Sequence, residues 1–346
     1  MAKTRGMTRR QNNRKRLKTF DNGGGTSWSD LDHDVLSIVM MQLGYVDFLS
    51  FSEVCKSWRS LALSNKKKFM ASRPPMWISY SENECYLKDL EGRKFKTPFP
   101  HFAHRRCVGI TCGYLILFGG KTYDFWLVNP ITRHELYFPR VPHIDASFVE
   151  ERARAVLVFS PSISAWVFLL TYRLSDQIWF SVTGKGTWNH VSSTFPILDL
   201  HFFKGKIYSL NKNWQLCEMS LTPEPKLTLL EIKVCLRPEF FYPKFVSEGE
   251  NLYVIDQLPG VQKLDFGKMK WVLPDENIIG EYGFFLSVSW KGMSVTGGSI
   301  VKLDPWARSQ YKRCDHFTDS RKGRFFVTKN LWYFPHECMH VNLIDE

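Results

Sequence analysis

Hydrophobic positions along this chain fall into two regimes. Between residues 32 and 63 they recur at helical spacing, and from residue 76 onward they come in short runs of the kind that form strands. In the first regime Asp32 and Asp34 stand where a carboxylate can cap a helix N-terminus and favour its positive dipole end. Val35, Leu36, Ile38, Val39, Met40 and Leu43 follow as a broad apolar face. Gly44 is expected to stop that helix, because glycine can take positive φ. Asp47 opens a second short segment with Phe48, Leu49, Phe51 and Val54 apolar, and a third runs from Cys55 through Trp58 to Leu61 and Leu63. Three helices this short cannot enclose a large core, so much of their apolar surface needs a partner. The segment reads as a docking module.

The second regime is β-rich. The runs at Tyr114–Phe118, Phe125–Val128, Ala165–Leu169, Ile178–Phe180 and Leu252–Ile255 combine β-branched and aromatic residues, with Gly, Pro, Asn or Asp between them. Strands this short and numerous predict a sandwich, a barrel or a propeller. Spacing selects the propeller. Lys204–Leu210 is echoed by Gly249–Ile255, whose tyrosine lies 45 residues further on; Trp166 lies 42 residues before Tyr208, and Tyr114 lies 52 before Trp166. A second strand follows each of these within a short distance (Phe125–Val128, Ile178–Phe180, Gln215–Met219, Gln262–Phe266). A period of about 40–50 residues is that of four-stranded blades, and residues 76–346 then hold about six, with the ends near Trp77 and Ile300 placed by extrapolation. The stretch from Lys291 to Lys322 is polar, basic and hard to fit to strands, which allows a degenerate or open last blade.

Residues 1–26 have no apolar period and end in Asn22-Gly23-Gly24-Gly25, as a flexible tail does. They also account for most of the charge. The chain of 346 residues carries 46 Lys+Arg against 34 Asp+Glu, and eight of the basic residues with no acid fall within residues 1–20. The net +12 therefore says little about the folded part. Arg9-Arg10 with Arg14-Lys15-Arg16 suits a nuclear import signal, an electrostatic contact to an acidic surface, or a solvated arm. Residues 65–75, with Lys66-Lys67-Lys68 and Arg73-Pro74-Pro75, read as a linker with some stiffness. The N-terminus lacks the apolar core of a secretory signal, and Ala153–Tyr172 is too interrupted to span a bilayer. The eight cysteines are scattered without a Cys-x-x-Cys pair, which fits a reducing cytosolic or nuclear home.

Trp28-Ser29-Asp30-Leu31, Asp34-Val35-Leu36, Leu43, Val46-Asp47-Phe48-Leu49 and Val54-Cys55-Lys56-Ser57-Trp58-Arg59-Ser60 together resemble the F-box. The family's usual Leu-Pro opening is Leu31-Asp32 here. The resemblance implies binding to the Skp-type adaptor of a cullin-based (SCF) ubiquitin ligase. Matched residue by residue, the implied adaptor-binding positions are Leu31, Val35, Leu36, Ile38, Leu43, Phe48, Leu49, Val54 and Trp58. Each of these could instead pack the small domain itself, and Leu31, Leu36 and Trp58 are the stronger interface positions.

The second domain resembles the KIB-type β-propeller joined to F-boxes in plants. The supporting residues are Asn129-Pro130-Ile131-Thr132, the strand at Lys204–Tyr208, Tyr253-Val254 with Lys263-Leu264-Asp265-Phe266 and Trp271, and Leu331-Trp332-Tyr333-Phe334-Pro335. In that family the propeller recruits the protein to be ubiquitinated, a role that transfers to no particular residue.

Three motifs point elsewhere. Gly119-Gly120-Lys121-Thr122 looks like the end of a phosphate-binding loop, but the full pattern needs glycine where Leu115 stands, and strand follows rather than helix, so a hairpin turn is the better reading. His336-Glu337-Cys338-Met339-His340 matches the zinc pair with a general-base glutamate, yet strand precedes it and six residues follow it. His101, His104, Cys107 and Cys112 fit no standard zinc spacing.

The expected architecture is α+β multidomain: a basic tail (1–26), a three-helix F-box (27–64), a linker (65–75) and a kelch-like all-β propeller (76–346). The expected role is a non-catalytic substrate-recognition subunit of an SCF-type E3 ubiquitin ligase in the nucleus or cytoplasm. Its expected partners are the Skp-type adaptor, through it cullin, and a protein substrate; no cofactor, metal, membrane or nucleic-acid partner is expected. The alternatives are a propeller binding protein with a vestigial F-box, and a zinc hydrolase using His336, Glu337 and His340.

Overall fold

The computed structural model describes residues 28, 31–73, 75–80, 85–89, 92–97, 104–142, 153–172, 175–234, 236, 243–256, 260–275, 280–288, 295–302, 316–320, 323–328 and 331–334. The chain divides into two compact units, residues 1–66 and 67–346, each described on its own.

The first unit holds α1 (His33–Gln42), α2 (Tyr45–Glu53) and most of α3 (Lys56–Ala71). Asp32 caps α1: its carboxylate accepts the Asp34 N–H at 2.7 Å, satisfying a donor the first turn would leave bare. Leu36 and Met40, one turn apart, are buried, as are Phe48 and Phe51 of α2. Gly44 does not end α1 by positive φ. Leu43 is the C-cap, and Gly44, extended at φ −71°, is the N-cap of α2. The third helix continues to Ala71, through the lysines read from sequence as the start of a linker. Lysine is a good helix former, and Phe69 and Met70, both buried, give the last turn an apolar anchor.

The second unit is a ring of six four-stranded sheets. The second sheet is β4 (Arg105–Thr111), β5 (Tyr114–Gly119), β6 (Phe125–Val128) and β7 (Glu135–Phe138). The third is β8 (Ala153–Ser160), β9 (Ala165–Tyr172), β10 (Gln177–Val182) and β11 (Trp188–Ser192). The fourth is β12 (Ile197–Phe203), β13 (Lys206–Asn211), β14 (Leu216–Ser220) and β15 (Lys226–Leu229), and the fifth is β16 (Lys244–Glu248), β17 (Asn251–Ile255), β18 (Val261–Asp265) and β19 (Lys270–Val272). All four are antiparallel meanders. The period-marking aromatics Tyr114, Trp166, Tyr208 and Tyr253 all lie on the second strand of their sheets. Between β12 and β13 the chain turns in two residues, Lys204 (φ 49°) and Gly205 (φ 75°), the paired left-handed geometry that suits the twist of a tight hairpin.

The first sheet closes the ring. It combines β1 (Met76–Tyr80), β2 (Cys85–Lys88) and β3 (Lys94–Thr97) with β24 (Leu331–Tyr333) from the far end of the domain, in the order β24-β1-β2-β3. Trp77 pairs with Trp332 across this seam, their rings edge to face at 5.8 Å.

The sixth sheet contains β20 (Tyr282–Val288), β21 (Val295–Lys302), β22 (His316–Ser320) and β23 (Gly323–Thr328), and it departs from the meander. Its order is β21-β20-β23-β22, with β20 and β23 parallel. Thus the polar stretch at 291–322, hard to read as strand, contributes β21 and β22. Its pairing is fixed by aromatics in register: Phe284 stacks on Phe325 at 5.1 Å and Phe285 on Phe326 at 4.7 Å. The strands β24, β4, β8, β12, β16 and β21 neighbour one another in turn and line the inside of the ring.

Apolar clusters lie between successive sheets. One joins Phe118, Phe125 and Phe138 to Phe168 of the third sheet, and another joins Leu210 and Leu216 to Phe245 and Trp271 of the fifth. Polar bonds cross the same seams. Thr111 Oγ1 accepts the N–H of Leu157, and Ser287 Oγ accepts the N–H of Trp332, each at 2.9 Å.

Candidate functional site

In the helical unit, apolar residues divide between inside and outside. Among the positions implied as adaptor-binding, Leu36 and Phe48 are buried and build the unit's own core. Leu31, Leu43 and Trp58 are half-buried. Val35, Ile38, Leu49 and Val54 are exposed, Ile38 at 65% and Val54 at 58%. Trp58 is held in place, its ring stacked on Phe51 at 4.4 Å and its indole N–H donating to the Trp28 carbonyl at 3.3 Å. Val39 and Leu63, outside the positions the resemblance implies, are also exposed, and Val39 follows Val35 by four residues and so shares its face of α1. Val35, Ile38 and Val39 form one apolar strip on that helix. This strip lies outside the unit's own core.

The propeller offers two further surfaces. A groove of about 720 Å³ opens where β12, β13, β17 and β18 end, floored by Phe203 and Phe266, stacked at 5.8 Å, with Tyr208 beside them. Its charges are largely spent internally, since Lys204 pairs with Glu250 and Lys206 with Glu218. Burial pushes the Tyr208 phenol up to about 12, assisted by Glu218, so its hydroxyl stays a donor.

The second surface is the turn from β5 to β6. Gly119-Gly120-Lys121-Thr122 is indeed a turn within a sheet and not a phosphate loop. Asp124 takes two hydrogen bonds from the Arg105 guanidinium, at 2.7 and 2.9 Å, and one from Thr122. Burial alone would raise the Asp124 carboxyl, but the bonds from Arg105 and Thr122 and the Arg105 charge outweigh it and hold it below its ordinary value. Lys121 and Arg140 stand exposed on this rim, with the Arg140 guanidinium 4.9 Å from the centre of the Tyr123 ring.

Inside the ring, Asp199 of β12 gathers charge from both flanking sheets. Lys244 Nζ lies 3.0 Å and Arg154 Nε 3.3 Å from its Oδ1, and all three side chains are largely buried. Burial pulls the Lys244 ammonium down, opposed by the Asp199 charge. His201, on the same strand, bonds Ser247 Oγ at 2.9 Å, and desolvation lowers its imidazole to about 4, so the ring is neutral. This constellation joins the third, fourth and fifth sheets through buried charge and hydrogen bonds.

Among the described residues no three His, Cys, Asp or Glu side chains gather to hold a metal, and no helix is long and apolar enough to cross a membrane. His104 is exposed at φ 63° while Cys107 is buried, and His101 lies outside the described residues. His336, Glu337 and His340, and the basic tail, also lie outside them.

Comparison with known proteins agrees with this division. The F-box domain model matches residues 28–70, and the KIB1-4 beta-propeller model matches residues 79–304. An F-box protein of Arabidopsis thaliana is 26% identical over 133 residues, 38% of this chain and 33% of that protein. Two further proteins named as F-box proteins of the same plant are 24% identical over 204 residues (53% and 55% of the two chains) and 22% identical over 176 (46% and 45%). The chain thus spans between a third and about half the length of these curated relatives. Among solved structures, a nidogen–laminin complex gives a TM-score of 0.38 at 13% identity, covering 66% of this chain and 86% of that one, a likeness too slight to carry an argument. With three short helices, six sheets in a closed ring and both models matched in sequence, the chain belongs to the KIB1-4 β-propeller family and carries an F-box domain ahead of the propeller.

Proposed function

We propose that this chain is the substrate-recognition subunit of an SCF-type E3 ubiquitin ligase, its helical unit docking on the Skp-type adaptor and its propeller recruiting a protein target. The observation that carries this is the apolar strip Val35, Ile38 and Val39 on α1, left exposed with Leu49, Val54 and Leu63 by a unit whose core is already filled by Leu36, Met40, Phe48 and Phe51. Covering an exposed Ile or Val side chain is worth about 1.5–3 kcal/mol, so a partner that seats several of them gains an appreciable binding free energy. The half-buried Leu31, Leu43 and Trp58 extend the proposed interface, and Leu36 and Phe48 support it from beneath.

The mechanism is proximity. A target held on the propeller raises the effective concentration of its lysines near a ubiquitin-charged enzyme on the same scaffold. This chain does no bond chemistry in that scheme. Work in the nucleus or cytoplasm follows, with Arg9-Arg10 and Arg14-Lys15-Arg16 as an import signal.

The test is co-precipitation of the Skp-type adaptor with wild type and with Ile38→Glu/Val54→Glu. Both residues are exposed, so the variant keeps its core. Loss of adaptor with an unchanged thermal midpoint supports the reading. Equal capture by both proteins overturns the apolar strip as the docking surface, and no capture by wild type leaves a propeller binding protein with a vestigial F-box.

A further inference from the structure

The rim between β5 and β6 is built more rigidly than a connecting turn requires. Tyr123 is held at φ 59°, a conformation that costs a bulky side chain strain, and its N–H donates to the Gly119 carbonyl at 2.6 Å. Its ring packs edge-on against buried Phe118 at 6.1 Å on one side and under the Arg140 guanidinium on the other. Arg140 is fixed from behind as well, because the Trp188 indole N–H of the third sheet donates to the Pro139 carbonyl at 2.9 Å. Lys121 projects from the same turn. The nearby carboxylate, Asp124, is already committed to Arg105 and Thr122, and neither Lys121 nor Arg140 has an ion-pair partner among the described residues.

We propose that Arg140, held over Tyr123, and Lys121, exposed on the turn that carries Tyr123, form a docking point for an acidic segment of the protein target. This rests on the proposed role of the propeller as a target receptor and names the chemistry it would read. Two exposed cations without an ion-pair partner among the described residues, beside a neutralised carboxylate, present a local positive field, and the Arg140 guanidinium, already held against a ring, loses less freedom on gripping a carboxylate in two-point geometry. Electrostatic complementarity of this kind selects partners and speeds encounter. A nucleic acid fits less well. Strand binding needs a run of cations and aromatic faces free to stack on bases, whereas the outer face of Tyr123 is covered by Arg140.

The test uses the full-length chain, a fluorescein-labelled glutamate-rich peptide and, for comparison, a labelled single-stranded oligonucleotide, read by fluorescence anisotropy at low salt. The proteins are wild type, Lys121→Glu/Arg140→Glu and, should charge reversal hinder folding, Lys121→Gln/Arg140→Gln. The basic tail is common to all three, so its contribution cancels. The expected result is peptide affinity lowered roughly tenfold or more by charge reversal and less by neutralisation, with binding in wild type weakened by added salt. Equal peptide affinity in wild type and the substituted proteins overturns the proposal, and so does an oligonucleotide that loses more affinity than the peptide. Adaptor co-precipitation run in parallel separates the two claims. Lost adaptor capture by wild type with substitution-sensitive peptide binding counts against the ligase role alone. Normal adaptor capture with substitution-insensitive peptide binding counts against the docking point alone.

Discussion

The carboxylate of Asp199 accepts the backbone N–H of Phe245 at 2.7 Å, joining the inner strands of two neighbouring sheets across 46 residues of chain. Thr111 and Leu157 are joined across the same interval, and Ser287 and Trp332 across 45. The repeat that is faint in residue identity is plain in these bonds: at alternate seams a side-chain oxygen from one sheet receives an inner-strand amide of the next.

Asp199 also carries the charge balance of that seam. Asp199→Ala leaves Arg154 and Lys244 buried beside one another without the carboxylate they share. Removing one partner of a buried ionic group costs about 3–5 kcal/mol. The expected outcome in chemical denaturation is a lower midpoint of that order for the propeller transition, with Asp199→Asn intermediate because it keeps an acceptor for the Phe245 amide.

Gly119 is required by contact. A Cβ there would come within 3.0 Å of Thr122, Asp124 and Arg105, whose mutual bonds leave no slack. Overpacking of this kind costs about 1–3 kcal/mol. Gly119→Ala is therefore expected to lower the thermal midpoint, whereas Gly120→Ala, with open space around its Cβ position, is not. Calorimetry on both variants checks the contrast.

The pH dependence follows from His201. Its imidazole is lowered by burial to about 4 in the folded chain against an ordinary value of 6.5. The unfolded chain therefore binds more protons between those values, and stability is full above about 6.5 and lost as pH falls toward 4. The thermal midpoint is expected to drop over that window in wild type and to drop less in His201→Asn, which cannot take up the proton. Parallel curves for the two proteins would contradict this.

Cysteine reactivity sorts by burial. Desolvation raises the Cys85 thiol to about 12 and the Cys107 thiol to about 12, the latter with a contribution from Cys85. Thiolate is the reactive form, so both are expected to resist iodoacetamide in the native protein, while among the described cysteines half-buried Cys55 and Cys112 label first. Mass spectrometry of partially alkylated protein gives the order.

Much of this architecture is legible in the residues. Tyr114, Trp166, Tyr208 and Tyr253 mark the second strands of four of the six sheets, and each packs into an apolar cluster between sheets. The helical unit is legible for a similar reason, since spacing along a helix fixes which residues share a face. Spacing does not say which apolar residue turns inward: Leu36 and Ile38 look alike in sequence, and one is buried while the other is exposed. Gly44 and the lysines of α3 misled because a local preference yields to what the neighbouring turns need. The sixth sheet was illegible because its strand order depends on Phe284, Phe285, Phe325 and Phe326 meeting across a long stretch of chain. Nor could Arg140 be placed against Tyr123 from spacing alone, since β6 and β7 part them in the chain.

The seam at β24 has a consequence for biosynthesis. Because the first sheet receives its inner strand from Leu331–Tyr333, a ribosome must make nearly the whole propeller before β1 finds its neighbour. Until then the nascent chain carries an open strand edge beside Trp77, of the kind that pairs with other chains and attracts chaperones. A message cut short anywhere ahead of codon 331 thus yields a ring that cannot shut, and such a product is more readily cleared than tolerated.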